Sequence, residues 1–255
     1  MMEVVLIGAG SVATQWGLAF REKGYPVAQV YSRSLDSAKI LGEKLHAPCT
    51  QQIEDVVAHA DLYLFAVKDS ALPEIVKAFP PVDGLPVHTA GSVPMDVFAG
   101  HFDRYGVMYP MQTFSKTRRV SFENIPLFIE ANNRDDEDRL EKIASIFSSK
   151  VIRLSSEKRR QLHVAAVFAC NFTNYLYTVA ARILEEHDLP FDLLIPLIRE
   201  TAAKVEAIHP AEAQTGPAVR NDKNLIDKHL EMLGSHPDQQ ELYRILSEHI
   251  RMESI

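Results

Sequence analysis

The uneven distribution of glycine and proline is the feature that most constrains how this chain can fold. Nine of its eleven glycines fall within residues 8–106, and none falls within residues 107–215. Proline is absent from residues 127–189. Tight turns use glycine, whereas long helices exclude both residue types. We therefore expect a turn-rich first half and a mostly helical second half.

The first half alternates short apolar runs with segments of helical periodicity. Strands that alternate with helices indicate an α/β fold with a doubly wound parallel sheet, which we assign to residues 1–154. The predicted strands are residues 4–7, 27–31, 48–51, 62–67, 86–89, 105–109, 126–129 and 151–154. The predicted helices are residues 12–23, 35–45, 53–59, 73–79 and 135–148.

Residues 155–255 are predicted to form an all-helical domain that binds substrate and mediates dimerisation. The predicted helices are residues 157–187, 191–208, 222–233 and 237–252. The first of them carries several small residues, including Ala165, Ala166 and Ala180. Since small side chains let helices approach closely, we expect this helix to be central and buried.

Composition and charge exclude several classes of protein. The 255 residues are 46% hydrophobic and 24% charged, the balance of a globular protein rather than of a disordered or fibrous one. The formal net charge of −7 argues against a nucleic-acid partner. The two cysteines, Cys49 and Cys170, lie far apart and the histidines are scattered, so we predict no metal site and a reducing cytoplasm. We also expect no membrane association, because we identify neither a signal peptide nor an uncharged apolar run of about 18 residues.

A glycine-rich fingerprint lies between the first strand and the first helix. Residues Gly8-Ala9-Gly10-Ser11-Val12-Ala13 fit the pattern G-x-G-x-x-[G/A], and a second strand follows within about 30 residues. In this pattern Gly8 makes the tight turn and Gly10 lets the backbone approach a pyrophosphate. Ala13 lets the helix pack on the strand, and the start of the helix at Ser11 and Val12 faces the anion. The alternative is a glycine-rich turn without a ligand.

The end of the second strand bears on which dinucleotide binds. NAD-binding proteins place a carboxylate there for the ribose hydroxyls, but this chain has Ser32-Arg33-Ser34. An arginine between two hydroxyls suits the 2′-phosphate of NADP. The alternative for Arg33 is an ordinary solvated charge.

Two further loops leave strands where ligands of such sheets bind. Val67 ends the fourth predicted strand and Lys68 follows it, and Ala90 lies in the loop after the fifth. We expect these three residues to contact the cofactor near its nicotinamide end. Lys68 could equally be a solvated loop lysine.

Polar residues interrupt the long helix of the second half. His163 and Asn174 are eleven positions apart and share a face, and Asn171 lies one turn from Asn174. A reductase needs a proton donor beside the carbon that accepts hydride, and histidine titrates near neutral pH. We therefore take His163 and Asn171 as candidate catalytic residues. The alternative is a structural histidine with amides that bridge helices.

Arg220, Asp222 and His229 form a second constellation. Asp222 and His229 are seven residues apart on one helix and so share a face. One interpretation is an anion-binding arginine beside an Asp–His pair. The other is a clamp in which Asp222 caps the helix and Arg220 pairs with it.

Four stretches carry a resemblance to a known family. They are V-H-T-A-G at residues 87–91, Y-P-M-Q-T-F at residues 109–114, residues 163–171, and T-G-P-A-V-R-N-D at residues 215–222 followed by His229 and Leu230. With them the chain resembles the pyrroline-5-carboxylate reductase and 6-phosphogluconate dehydrogenase superfamily. It is most similar to NADP oxidoreductases that join a Rossmann-like domain to a C-terminal domain of unknown function (type 2520). The resemblance implies that fold, NADP as cofactor and a helical domain that pairs in a homodimer. The candidate substrate-binding residues are His88, Gln112, Thr215, Arg220, Asp222 and His229.

The chain departs from the family pattern at three places. Tyr109 stands where the family has histidine, Cys170 where it has serine, and Asn221 where it has glycine. Asparagine tolerates left-handed backbone, so Asn221 is expected to keep the glycine conformation. The loss of histidine at Tyr109 puts an acid–base role at that position in doubt.

The sequence thus predicts an NADP-dependent oxidoreductase. It would transfer a hydride between nicotinamide and a small anionic carbonyl or imine substrate. The alternatives are a non-catalytic NADP-binding sensor or interaction protein and a deazaflavin-linked NADP reductase.

Overall fold

The computed structural model describes residues 2–253, and its first part is built on one eight-stranded sheet. The strand order is β3-β2-β1-β4-β5-β6-β7-β8. The pairs are parallel except β6 with β7, which run antiparallel. The prediction of an entirely parallel sheet is therefore wrong at that pair, since the chain returns from β6 to β7 through a loop without a crossover helix. The strands are β1 (Val4–Ile7), β2 (Val27–Tyr31), β3 (Cys49–Thr50), β4 (Leu62–Phe65), β5 (Leu85–His88), β6 (Gly106–Pro110), β7 (Leu127–Ala131) and β8 (Val151–Arg153).

Helices connect most of these strands, as the periodicity predicts. They are α1 (Ser11–Glu22), α2 (Leu35–Leu45), α3 (Leu72–Ala78) and α4 (Arg134–Ser145). The helix predicted at residues 53–59 is instead a single 3₁₀ turn, Ile53–Asp55. The buried Gln29 side chain donates to the Asp55 carbonyl at 2.9 Å and accepts from the Val57 amide at 3.0 Å. These bonds occupy backbone groups that a longer helix would use.

The sheet buries apolar side chains on both faces. In β1, Val4 and Leu6 join the core on the side of α1, whereas Val5 and Ile7 join the core on the opposite face. A strand that is buried on both faces has a continuous run of apolar residues, which explains why β1 is easily recognised in the sequence.

A helix of 30 residues leaves the sheet after β8. It comprises α5 (Ser156–Ala166), a π-helical turn (Val167–Phe172) and α6 (Thr173–Glu185). Its existence is confirmed, but the expectation that it is buried is wrong, because none of its most apolar 18-residue window is buried in this chain. Several of its apolar side chains are exposed, with Val164 55% exposed and Tyr175 52% exposed.

By length and composition, this helix could also cross a membrane. Residues 161–181 carry no Asp, Glu, Lys or Arg, so the prediction that the chain has no uncharged apolar run of about 18 residues is wrong. The run is interrupted by polar side chains, and one of them, His163, is hydrogen-bonded to Tyr109 of the sheet.

A buried ion pair fixes the first turns of α5 to the sheet. Arg159 is fully buried and donates to Glu130 of β7 at 2.7 Å and to the Val93 carbonyl at 2.6 Å. The hydroxyl of Ser156 also donates to Glu130, at 2.6 Å. Because of these bonds α5 belongs to the sheet, and the first compact unit extends to Asn171 rather than ending at the predicted residue 154.

The second compact unit, from Phe172 onwards, is helical as predicted. Its elements after α6 are a 3₁₀ turn (Phe191–Leu194), α7 (Ile195–Ala207), α8 (Pro210–Ala213), α9 (Lys223–Met232) and α10 (Pro237–Glu253). Asn221 has a φ of 53°, the left-handed conformation expected of it.

Candidate functional site

The fingerprint loop joins β1 to α1 with the geometry that a dinucleotide requires. Gly8 has a φ of +119°, and a Cβ there would lie 2.9 Å from the Ala66 carbonyl carbon. Gly10 is the N-cap of α1, and a Cβ on it would meet nothing within 4 Å. The first glycine is therefore required by the protein itself, whereas the second leaves open space at the helix N-terminus, where an anion binds.

An open cavity of about 260 Å³ lies against this loop. It is lined by Gly8, Ala9, Gly10, Tyr31, Ser32, Arg33, Ser37, Ala66, Val67, Lys68, Ile75 and Lys116. Three cationic side chains, Arg33, Lys68 and Lys116, thus share one cavity with the N-terminus of α1. This donor set fits a dinucleotide with an additional phosphate.

Six of the predicted cofactor-binding residues line this cavity, namely Gly8, Gly10, Ser32, Arg33, Val67 and Lys68. The other five do not line it. Ser34 caps α2, since its hydroxyl accepts from the Ser37 amide at 3.3 Å. Ser11, Val12 and Ala13 form the first turn of α1, and Ala90 lies beyond β5, outside the lining. Ser37 and Lys116 line the cavity although sequence reasoning missed them. An exposed lysine in a loop gives no sequence signal of its own.

A second group of polar residues gathers at the carboxyl ends of β5 and β6. The Tyr109 hydroxyl lies 3.0 Å from Nδ1 of His163, which α5 brings to the sheet. Gly91, after β5, makes this approach possible, because a Cβ there would lie 2.7 Å from His163 Cγ and 2.9 Å from Tyr109 Cζ. We call Gly91, Tyr109 and His163 the Tyr–His cluster.

Electrostatics around Tyr109 favour its protonated form. Burial raises the pKa of the Tyr109 hydroxyl, although the charge of Arg159 opposes this rise. The hydroxyl is therefore protonated at neutral pH. It donates to Sδ of Met111 at 3.7 Å, so its oxygen is open to a hydrogen bond from Nδ1 of His163 when that nitrogen carries a proton. Tyr109 is a residue that sequence reasoning set aside, and no sequence pattern links positions 54 residues apart.

The loops after β4 and β5 are joined beside this cluster. The Ser92 hydroxyl donates to the carboxylate of Asp69, which follows Lys68. The bond connects a loop that lines the cavity to the loop that contains Gly91.

His88 has a structural position and not the predicted substrate-binding one. Its ring is fully buried, and Nδ1 accepts from the Ala90 amide at 3.2 Å. Burial lowers the pKa of His88 to about 3, helped by the charge of Arg159. A neutral, buried imidazole holds the Ala90 loop and presents no surface to a ligand.

The remaining candidates are exposed or form local helix contacts. Asn171 and Gln112 are exposed in the first unit. In the second unit, Thr215 and Arg220 are exposed, and Asp222 caps α9 by accepting from the Leu225 amide at 3.2 Å.

His229 also has a structural contact within the second unit. Its Nδ1 lies 2.8 Å from the Tyr243 hydroxyl. Its partner is therefore Tyr243 and not the expected Asp222. The Asp–His pair is therefore not formed. Asp222 caps α9 as the clamp interpretation expects, but in the described part of the chain no ion pair joins Arg220 to Asp222. Among residues 2–253, no group of three or more His, Cys, Asp or Glu side chains could hold a metal ion.

Comparison with known families and structures agrees with this architecture. Residues 1–108 match a Rossmann-like domain, and residues 125–250 match a domain of unknown function (DUF2520). The crystal structure of a "putative NADP oxidoreductase" from Bacteroides fragilis is 48% identical, covers 98% of both chains and superposes with a TM-score of 0.93. A search among functionally curated proteins finds no match.

More distant structures share the fold. A pyrroline-5-carboxylate reductase from Streptococcus pyogenes is 12% identical, with 98% of each chain covered and a TM-score of 0.64. An imine reductase from Myxococcus stipitatus, solved with NADP⁺, is 15% identical, with 98% of this chain and 92% of that chain covered and a TM-score of 0.66. The chain is 48% identical to the Bacteroides fragilis protein over nearly its full length, and both domain models match it. It therefore belongs to the NADP oxidoreductase family that joins a Rossmann-like domain to a DUF2520 domain.

Proposed function

We propose that this protein is an NADP-dependent oxidoreductase that transfers a hydride between nicotinamide and a small carbonyl or imine compound. One observation supports the proposal above the others. A cavity suited to a phosphorylated dinucleotide and the Tyr–His cluster lie at the carboxyl ends of strands in the same sheet. Ligands of such sheets bind at this edge.

The chain's own residues would hold the cofactor by its phosphates. The N-terminus of α1 at Gly10 would take the pyrophosphate, and Arg33 would take the 2′-phosphate. When bound, NADPH would supply the hydride. Lys68 would lie near the nicotinamide end and add the positive charge that an anionic substrate needs.

The Tyr–His cluster would supply the proton for reduction. A protonated His163 ring would donate from Nδ1 to the Tyr109 hydroxyl, which holds the ring in place, and from Nε2 toward the substrate. The Nε2 proton would pass to the oxygen or nitrogen of the substrate, which leaves a neutral imidazole. Solvent would then return a proton to the ring. The substrate thus gains one hydride and one proton.

Two fold relatives support the class of substrate. They are named a pyrroline-5-carboxylate reductase and an imine reductase, enzymes whose names specify a C=N bond. The cluster offers a proton donor that a C=N or a C=O group would both need.

A cofactor and turnover screen tests the proposal. We expect NADPH to bind more tightly than NADH in calorimetric titration, and at least one carbonyl or imine in a panel of small acids to oxidise NADPH. Binding without any turnover would favour a sensor. Turnover only with a deazaflavin acceptor would favour the deazaflavin-linked reductase. Absence of NADPH binding would contradict the proposal altogether.

We further propose that the protein is a cytoplasmic homodimer whose contact is the apolar surface of the 30-residue helix. Val164, Tyr175 and Leu176 are exposed on it, and an apolar surface of this kind marks an interface. Light scattering at micromolar concentration is expected to give twice the mass of the chain, and Val164→Glu to reduce it. A monomeric mass would contradict the dimer.

A further inference from the structure

A segment between β6 and β7 reaches back over the start of α1, and we call residues 113–120 the strap. Lys116 lies in it and lines the same cavity as Gly10 and Arg33. The sequence analysis assigns no role to residues 115–120 of this segment. Its position raises the question of what holds an exposed lysine at a dinucleotide cavity.

One buried side chain of α1 holds the strap. Gln15 is 1% exposed, and its Nε2 donates to the carbonyls of Ser115 and Arg118 at 2.8 and 3.0 Å. Its Oε1 accepts from Arg119 at 2.8 Å. A single amide group thus fixes both ends of the four-residue turn that carries Lys116.

Further contacts on each side strengthen this attachment. Arg119 also donates to Glu22 of α1 at 3.0 and 2.6 Å. Phe114 stacks on Phe122 at 5.5 Å, and Phe122 packs on Trp16 of α1 at 4.4 Å between ring centroids. The turn is therefore positioned by the same helix whose N-terminus faces the cavity.

A solvated loop lysine would not need this arrangement. Burying an amide is costly unless its hydrogen bonds are satisfied, and Gln15 satisfies them on the strap. We propose that Lys116 binds a phosphate group of the dinucleotide and that Gln15 is the positioning residue that holds it there. The inference rests on the proposed NADP cofactor.

A matched pair of variants tests Lys116. Lys116→Ala and Arg118→Ala remove the same charge from the same turn, but Arg118 does not line the cavity. We expect Lys116→Ala to weaken NADPH binding about tenfold in calorimetric titration, the effect of losing a charged hydrogen bond, and Arg118→Ala to leave it unchanged. NADH titrations tell the phosphates apart: loss for NADPH alone indicates the 2′-phosphate, and loss for both indicates the pyrophosphate.

A second variant tests the positioning role. Gln15→Glu keeps an acceptor for Arg119 but places a carboxylate against the Ser115 and Arg118 carbonyls. We expect it to weaken NADPH binding, and to do so much less in the Lys116→Ala background, because the two residues act through one contact. Hydrogen exchange gives a readout independent of turnover: NADPH should protect residues 113–120 in the native chain and protect them less in each single variant.

The outcomes separate this inference from the proposed function. If the native chain binds NADPH and Lys116→Ala binds it equally well, the inference is wrong and the proposed function stands. If the native chain binds neither dinucleotide, both are wrong. Full additivity of Gln15→Glu and Lys116→Ala would overturn the positioning role.

Discussion

Two regions at one edge of the sheet differ in how the chain builds them. The dinucleotide cavity is made mainly by loops that directly follow β1, β2 and β4, each with a local pattern. The Tyr–His cluster joins residues 91, 109 and 163, which are far apart in the chain. The cofactor region is thus specified locally, whereas the proposed proton donor depends on the packing of α5 against the sheet.

The surroundings of two glycines also differ between the dinucleotide cavity and the Tyr–His cluster. A Cβ on Gly10 would face open space, whereas one on Gly91 would face His163 and Tyr109. On the proposed function, Gly10 makes room for the cofactor, whereas Gly91 makes room for the protein's own side chains. Substitutions at the two regions should therefore separate cofactor binding from catalysis.

The largest expected effect is on turnover by His163→Gln. If His163 passes the proton, its loss should lower turnover by about 10²–10⁴, the usual contribution of general acid catalysis. NADPH affinity and the melting temperature should stay close to native values, since the cavity does not include His163. A lower melting temperature with native turnover would instead show a structural histidine.

The next effect concerns stability and pH at His88. Its pKa is 6.5 when unfolded and is lowered to about 3 by burial, so the unfolded state binds the proton first as the pH falls. The part of the free energy of unfolding that depends on a neutral His88 is fully present above pH 6.5 and is lost as the pH falls toward 3. At pH 5 the loss is about 2 kcal/mol.

Comparison with His88→Asn checks this, because asparagine can still accept from the Ala90 amide but does not titrate. Urea unfolding from pH 7.5 to 5 should show a steeper loss of stability in the native chain than in the variant. If the free energies of unfolding of the native chain and the variant fall in parallel with pH, the predicted role of His88 is wrong.

Alanine substitutions at Gly91 and Gly10 should separate effects on stability and turnover from effects on cofactor binding. Gly91→Ala should force His163 and Tyr109 apart, reduce turnover and cost about 1–3 kcal/mol of stability, as overpacking does. Gly10→Ala should leave the melting temperature near native, because its Cβ meets no protein atom within 4 Å, but weaken NADPH binding. Thermal melts and titrations of both variants check this; the same profile for both would remove the distinction between the regions.

The smallest expected effect is on cofactor selectivity. Arg33→Ala should weaken NADPH binding about tenfold and leave NADH binding unchanged, since a charged hydrogen bond to the 2′-phosphate is lost. Lys39→Ala, an exposed cation of α2 outside the cavity, is the matched control. An equal loss of affinity for NADPH and NADH would show that Arg33 does not bind the 2′-phosphate.

The sequence predicts the locally specified parts well. The fingerprint turn at Gly8 and the left-handed backbone at Asn221 depend on neighbouring residues, so a pattern reveals them. The exposure of the long helix could not be predicted, because an apolar helix looks the same whether the chain or another molecule covers it. The contacts of Gln15 with the strap lie about 100 residues apart in sequence and arise only in the folded chain.

The most direct test of the account is a crystal structure of the protein with NADP⁺. We predict the 2′-phosphate at Arg33, the pyrophosphate at Gly10 and the nicotinamide ring at the sheet edge beside Gly91, with His163 still bonded to Tyr109 and close enough to reach a substrate on the ring. A nicotinamide ring turned away from the Tyr–His cluster, with the dinucleotide otherwise bound as predicted, would contradict the claim that this cluster supplies the proton.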